Sequence, residues 1–411
     1  MFIGCCSPIL IAKWVKISVL QPHRLLMEGI DRQMTIRAIT AKTIFDGEQY
    51  HSDSALVWKG DRIVDIVPTS TLPSSVIVTD VGDKIVAPGF IDIQVNGGGD
   101  VMFNSDTTVD GIDTICRAHR QHGTAYLLPT LISATPEEMK TALIAAESAI
   151  EQGVAGVLGV HLEGPWLNKD KKGAHDASKF YSPTIEQLEA FPWLERGVSL
   201  VTLAAENVDT QALNWLQQHH VVVSCGHSNA TQHQLTAEKL ASVNGFTHLF
   251  NAMSPLEGRE PGTVGTALMT DHAWCSIIVD GIHVATQNVL MAHKLKPEGK
   301  LLIVTDAMAS VGSRTNRFVL DGEEISVQDG KLVNSSGSLA GAHIGMDQSV
   351  ANAIAWGLNE AEVLRMASTY PAEALNLDDV GILKPGYRAA ATILNSDYSS
   401  YAVLVDGALN P

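Results

Sequence analysis

Basic residues are scarce in this chain. Its 28 Lys and Arg face 45 Asp and Glu, for a net charge of −17. A surface that grips nucleic-acid phosphates needs a basic patch, so no nucleic-acid partner is expected. A small anionic ligand remains compatible if a local cation or a helix N-terminus offsets the field. Cysteine is sparse as well. Cys5, Cys6, Cys116, Cys225 and Cys275 are odd in number and irregularly spaced. That argues against a disulfide framework and for a reducing, cytoplasmic setting. Cys225 lies close to His227, but a small buried strand residue is the simpler reading. Long apolar runs are also missing. Residues 1–20 are apolar but broken by Lys13 and Lys16. A membrane span needs about 20 clean apolar residues. A signal peptide needs a basic start, an unbroken apolar stretch and a small-residue cleavage site. No membrane partner is expected. Residues 1–33 read as an N-terminal extension, disordered or from a mis-assigned start, with Met34 opening the folded protein. No internal repeat or low-complexity run occurs.

What is present is length and apolar content. The chain has 411 residues and is 45% hydrophobic, enough for a sizeable core, with 34 glycines spread along it. Residues 35–86 read as short strands and turns, with apolar or alternating runs at 36–44, 55–59 and 62–67, punctuated by Asp46-Gly47 and Gly60-Asp61. The same texture returns after Gly381. Between these ends lie eight strand-like runs, at 89–95, 125–132, 157–162, 200–205, 221–225, 245–250, 276–281 and 301–305. Helical patterns at 108–122, 136–152, 209–219 and 231–243 separate several of them, with Thr135 placed to cap a helix that starts at Pro136. Two more helices, near 346–356 and 360–375, follow the last run. Eight strand–helix units predict an α/β fold, a (β/α)8 TIM-type barrel over residues 88–380. A small β-sandwich would be built from both chain ends, 34–87 and 381–411.

The chemistry lies at the ends of the runs. Glu163 stands in His-Leu-Glu-Gly-Pro at 161–165, His227 in Gly-His-Ser at 226–228, His248 in 247–253, and Asp306 in Val-Thr-Asp-Ala at 304–307. In a barrel, strand C-termini converge on one mouth. Glu163, His227 and His248 would then supply one oxygen and two nitrogens to a divalent ion, leaving a position open for water. Asp306 suits the acid/base that moves that water's proton. Alone, each residue has a bland reading: a hydrogen-bonded histidine, a strand terminator, a helix N-cap. Their joint placement favours the metal. His175, in the basic loop after Glu163, could donate to a developing oxyanion, and Arg259 suits a phosphate through its planar fork.

These clusters, together with 89–97 (Gly-Phe-Ile-Asp-Ile-Gln-Val-Asn-Gly) and 280–283, resemble the N-acetylglucosamine-6-phosphate deacetylases of the amidohydrolase superfamily. The resemblance runs from about Thr35 to the C-terminus. It implies Glu163, His227 and His248 as metal ligands and Asp306 with His175 as catalytic groups. It implies a sugar-phosphate site lined by Ala174, His175, Asn251, Ala252, Arg259, Asp280, Gly281, Ile282, His283, Leu339, Ala340 and Gly341. It also implies a homodimer in which Arg259 reaches the neighbouring subunit's site. Many superfamily members carry His-x-His at the end of the first strand, where this chain has Gln94-Val95-Asn96. Neutral amides are poor zinc ligands, so the expectation is one divalent ion per subunit, Zn2+, with Gln94 and Asn96 supporting the site from behind. The reaction implied is removal of the acetyl group from N-acetylglucosamine 6-phosphate. The galacto epimer is the alternative substrate, and a non-catalytic assembly protein on the same fold is the alternative role. The latter would be expected to lose ligands that are all present here.

Overall fold

The computed structural model describes residues 35–410 except 321, 334–336 and 338. The expectations for residues 1–33 and for a start at Met34 lie outside the described residues. Eight parallel strands form the core: β1 Phe90–Val95, β2 Thr124–Ile132, β3 Gly159–Glu163, β4 Val198–Leu203, β5 Val222–Cys225, β6 Gly245–Phe246, β7 Trp274–Ile278 and β8 Leu301–Val304. They pair in sequence order, and every residue in them is buried. Continuous apolar runs of this kind suit strands covered on both faces. Closure comes at the mouth. Asn96 N–H donates to the Ala307 carbonyl at 2.8 Å, and Asp306 N–H to the Gln94 carbonyl at 3.0 Å, stitching the end of β1 to the end of β8. This is the (β/α)8 barrel expected.

Both chain ends join in a separate β-domain. One eight-stranded sheet runs from Ala408–Asn410 through Ser400–Val405, Ala391–Leu394, Ile85–Pro88, Ile36–Phe45 and Tyr50–Lys59 to Arg62–Pro68, with Ile77–Asp80 added beside Ile36–Phe45. Its core packs Ile39, Ile44, Leu56 and Trp58 against Ile393 and Leu404.

The helix from Pro136 to Glu151 starts on a reciprocal cap: Thr135 N–H donates to Glu138 Oε2 at 2.7 Å, and Glu138 N–H to Thr135 Oγ1 at 3.3 Å. Two expected helices differ. Of 231–243, only Ala237–Leu240 is helical. The backbone N–H of Asn229 donates to Glu206, that of Thr231 to Gln234 Oε1, and that of Gln232 to Glu260 Oε1, and the helix begins only after Thr236, whose hydroxyl accepts the Lys239 N–H. The helix expected over 360–375 breaks at Ser368 into Glu360–Ala367 and Thr369–Ala374, which puts Pro371 in a first turn, where its missing N–H costs nothing. A further sheet was not foreseen. After β8 the chain forms a three-stranded antiparallel sheet, Arg317–Leu320, Glu323–Gln328 and Lys331–Val333, whose Ile325 and Leu332 pack with Met102, Ile132 and Met308 beside the barrel mouth.

Candidate active site

Glu163 ends β3, while His227, His248 and Asp306 each lie two residues past the ends of β5, β6 and β8. The last three hold left-handed backbone, with φ of 47°, 35° and 52°. Such conformations cost about 1–3 kcal/mol each and cluster at functional sites. Glu163 Oε1 lies 3.1 Å from His227 Nε2 and 3.0 Å from His248 Nε2, and the two nitrogens are 3.1 Å apart. Donors around a tetrahedral ion at about 2.0–2.1 Å sit roughly 3.3 Å from one another. His227 Nδ1–H donates to the Lys171 carbonyl at 2.7 Å, so in the neutral ring Nε2 presents a lone pair. Close acceptors with no proton fixed between them fit a shared cation. Burial opposes charge on Glu163, but the facing imidazoles outweigh it and hold the carboxyl well below its usual range.

His175 competes for this role on distance alone. Glu163, His175 and His227 each place one ligand atom within 4.8 Å of the others. Hydrogen bonding decides between the histidines. The Ser133 backbone N–H points at His175 Nδ1 at 3.2 Å, and Ser133 Oγ lies 2.8 Å from the same atom. A backbone N–H can only donate, so Nδ1 carries the lone pair and Nε2 the proton. Burial, helped by His227, pushes the His175 pKa down to about 3, which keeps the ring neutral. His175 thus faces the cluster with an N–H, 3.9 Å from Glu163 Oε1. His227 and His175 present opposite tautomers, one suited to accept a metal and the other to donate a hydrogen bond.

Asp306 is half-buried, and burial first, then the Glu163 charge, raises its pKa above the ordinary carboxylate range. Its Oδ1 accepts Asn96 Nδ2 at 2.6 Å and Gln94 Nε2 at 3.2 Å, leaving Oδ2 outside both bonds. The two amides thus sit behind the carboxylate. Beneath them Asp92, its pKa pushed up to about 7 mainly by burial, accepts from the Thr305 hydroxyl and from the Thr305 and Gln94 backbone.

A cavity of about 220 Å³ opens on this cluster, lined by its residues and by Gly173, Ala174, Asn251, Ala252, His283, Leu339 and Gly341. A larger cavity, about 400 Å³, lies in the β-domain and contains no histidine; convergent donors, not size, mark the site. Several residues expected in the lining lie elsewhere. Asp280 sits behind His283, its Oδ2 2.6 Å from His283 Nδ1, and its Oδ1 takes the Ile282 N–H, so that amide is not free for a ligand. Gly281 faces Trp356. Ala340 packs under the three-stranded sheet. Arg259 is exposed on its loop and does not line its own chain's cavity. Sequence reading missed Ile132 and Met308, which do line it, and Ser133, which fixes His175. An apolar strand end and a lone serine carry no signal of their own.

A buried carboxylate and imidazoles at the mouth of a parallel barrel define a barrel hydrolase able to use a bound metal. The chain belongs to the amidohydrolase family, whose model matches residues 85–409. It is similar to the N-acetylgalactosamine-6-phosphate deacetylase of Shewanella sp., 37% identical over 78% of this chain and 82% of the relative. It is also similar to the N-acetylglucosamine-6-phosphate deacetylase of Haemophilus influenzae, 33% identical over 86% and 94%. The crystal structure of N-acetylglucosamine-6-phosphate deacetylase from Pasteurella multocida superposes with a TM-score of 0.85 at 34% identity, covering 91% of this chain and 99% of that one.

Proposed function

We propose that the protein hydrolyses the acetamide of N-acetylglucosamine 6-phosphate, giving glucosamine 6-phosphate and acetate. The observation that carries the reading is the opposed tautomers of His227 and His175 around Glu163, with Asp306 beside them. Glu163, His227 and His248 would hold one divalent ion, which we assign as Zn2+. When bound, such an ion lowers the pKa of water toward about 7 and polarises a carbonyl. Asp306 accepts the proton of the attacking water through Oδ2 while Gln94 and Asn96 hold Oδ1. The His175 Nε2–H donates to the carbonyl oxygen as it gains charge. Asp306 then returns the proton to the departing amine as the C–N bond breaks. His283, oriented by Asp280, binds the phosphate end with Asn251 and Ala252, and Leu339 and Gly341 close the rim.

We further propose a homodimer in which Arg259, exposed and outside its own chain's cavity, serves the neighbour's phosphate. Cys116, Cys225 and Cys275 are buried free thiols, which suits a cytoplasmic enzyme. Among the described residues no helix is long and apolar enough to cross a membrane.

The Shewanella relative's name favours a second reading, the galacto epimer. Comparing kcat/KM for the two 6-phosphates tests the assignment. A preference for the gluco sugar is expected; hydrolysis of neither epimer by metal-replete protein would refute the activity.

A further inference from the structure

Ile132 and Met308 form an apolar wall in a cavity whose other deep groups are polar, and the activity proposed above gives that wall a use. We propose that this pair seats the acyl methyl group and limits the enzyme to short N-acyl chains.

The carbonyl carbon of an acetamide carries three coplanar substituents: oxygen, nitrogen and methyl. In the proposed reaction the oxygen lies toward the His175 Nε2–H and the Glu163 cluster, and the nitrogen faces Asp306. The sugar runs from that nitrogen toward His283, Asn251 and Ala252, which follow β6 and β7. In a trans amide the methyl points away from the sugar, toward the opposite side of the mouth. That side is made by the ends of β1 and β2, which the segment after β8 reaches when Ala307 bridges to Val95 and Met308 packs with Ile132. Ile132 ends β2 and Met308 follows β8.

Both side chains are built into place. Ile132 is 4% exposed, and its backbone is clamped in both directions by Asn104: its N–H donates to Oδ1 at 3.0 Å and its carbonyl accepts Nδ2 at 2.9 Å. Met308 is 3% exposed and lies so close to Gly341 that a Cβ there would sit 2.5 Å from its Cγ and Cε. Behind the pair stand Met102, Ala340 and the inner face of the three-stranded sheet, Ile325 and Leu332. A longer acyl chain would have to displace packed side chains. Leu339, 45% exposed, is on the rim and leaves the depth of the seat to the other two.

The test uses N-acetyl-, N-propionyl- and N-butyrylglucosamine 6-phosphate with the full-length, metal-replete enzyme. One methylene in an apolar pocket commonly changes kcat/KM about 10- to 200-fold. The wild type should fall at least tenfold from acetyl to propionyl and further to butyryl. Ile132→Ala and Met308→Ala should each raise the propionyl-to-acetyl ratio about tenfold, with bound metal unchanged. Met308→Leu, of similar volume, should hold the ratio within about threefold. If an alanine variant unfolds, Ile132→Val removes one methyl and should move the ratio a few-fold the same way. Acetyl and propionyl rates that fall in parallel, or a ratio that stays fixed in the folded variants, would overturn the seat and leave the deacetylase reading intact. Failure of the wild type on all three substrates would overturn both.

Discussion

At the scale of single residues, tautomer and burial divide the roles. Asp306 is gripped by both the Gln94 and Asn96 amides through one oxygen, so Asp306→Asn should keep the shape and lose the proton acceptor. We expect kcat to fall at least about 100-fold with metal retained, checked by acetate release and elemental analysis together. Near-normal turnover would remove the assignment. His119 allows a stability prediction. Burial above all lowers its pKa from 6.5 to about 4, and its Nε2 lies 2.8 Å from the Gly97 carbonyl. A folded pKa below the unfolded one means the unfolded chain binds the proton first as pH falls. His119 therefore adds nothing to the pH dependence above about 6.5 and costs stability as pH drops toward 4. His119→Gln should shrink the loss of unfolding free energy between pH 7.5 and 4.5 by about 2 kcal/mol. An equal loss in both proteins would show that His119 is not the buried neutral group described.

At the scale of elements, strands were more legible than helices. Eight apolar runs gave eight barrel strands because strands buried on both faces are mainly apolar, even though Asp92, Gln94, His161 and Glu163 interrupt them. The helix at 136–151 was readable from Thr135, Pro136 and Glu138. Thr135→Ala should cost about 1 kcal/mol in chemical denaturation and leave kcat unchanged. A change in kcat would mean the cap supports the site. The pattern at 231–243 misled because the helix starts from a later cap, Thr236, while Glu206 and Glu260 hold the backbone before it. The three-stranded sheet was hidden for a similar reason: its short strands sit among turn residues and gain an apolar face only against Met102, Ile132 and Met308. The cluster of Glu163, His227, His248 and Asp306 was legible because Glu, His and Asp at the ends of several barrel strands are unusual in a core. The acyl wall was not, because isoleucine and methionine there look like any core residue.

At the scale of the whole molecule, a net charge of −17 must still admit a phosphorylated sugar, so a local cation matters. If Arg259 supplies it across a dimer, Arg259→Ala should mainly raise KM. Mixing Arg259→Ala with Asp306→Asn should restore activity on subunit exchange, because each mixed dimer carries one site with both defects and one with neither. No recovery, with heterodimers shown to form, would mean Arg259 does not act in trans. The central claim is that Glu163, His227 and His248 hold one ion on which acetate release depends. It is tested most directly by stripping the metal and titrating Zn2+ back while following acetate released from N-acetylglucosamine 6-phosphate. Stripped protein should release none, and release should rise linearly with added ion and level off at about one ion per chain. Undiminished release from stripped protein, or none from fully loaded protein, would contradict it.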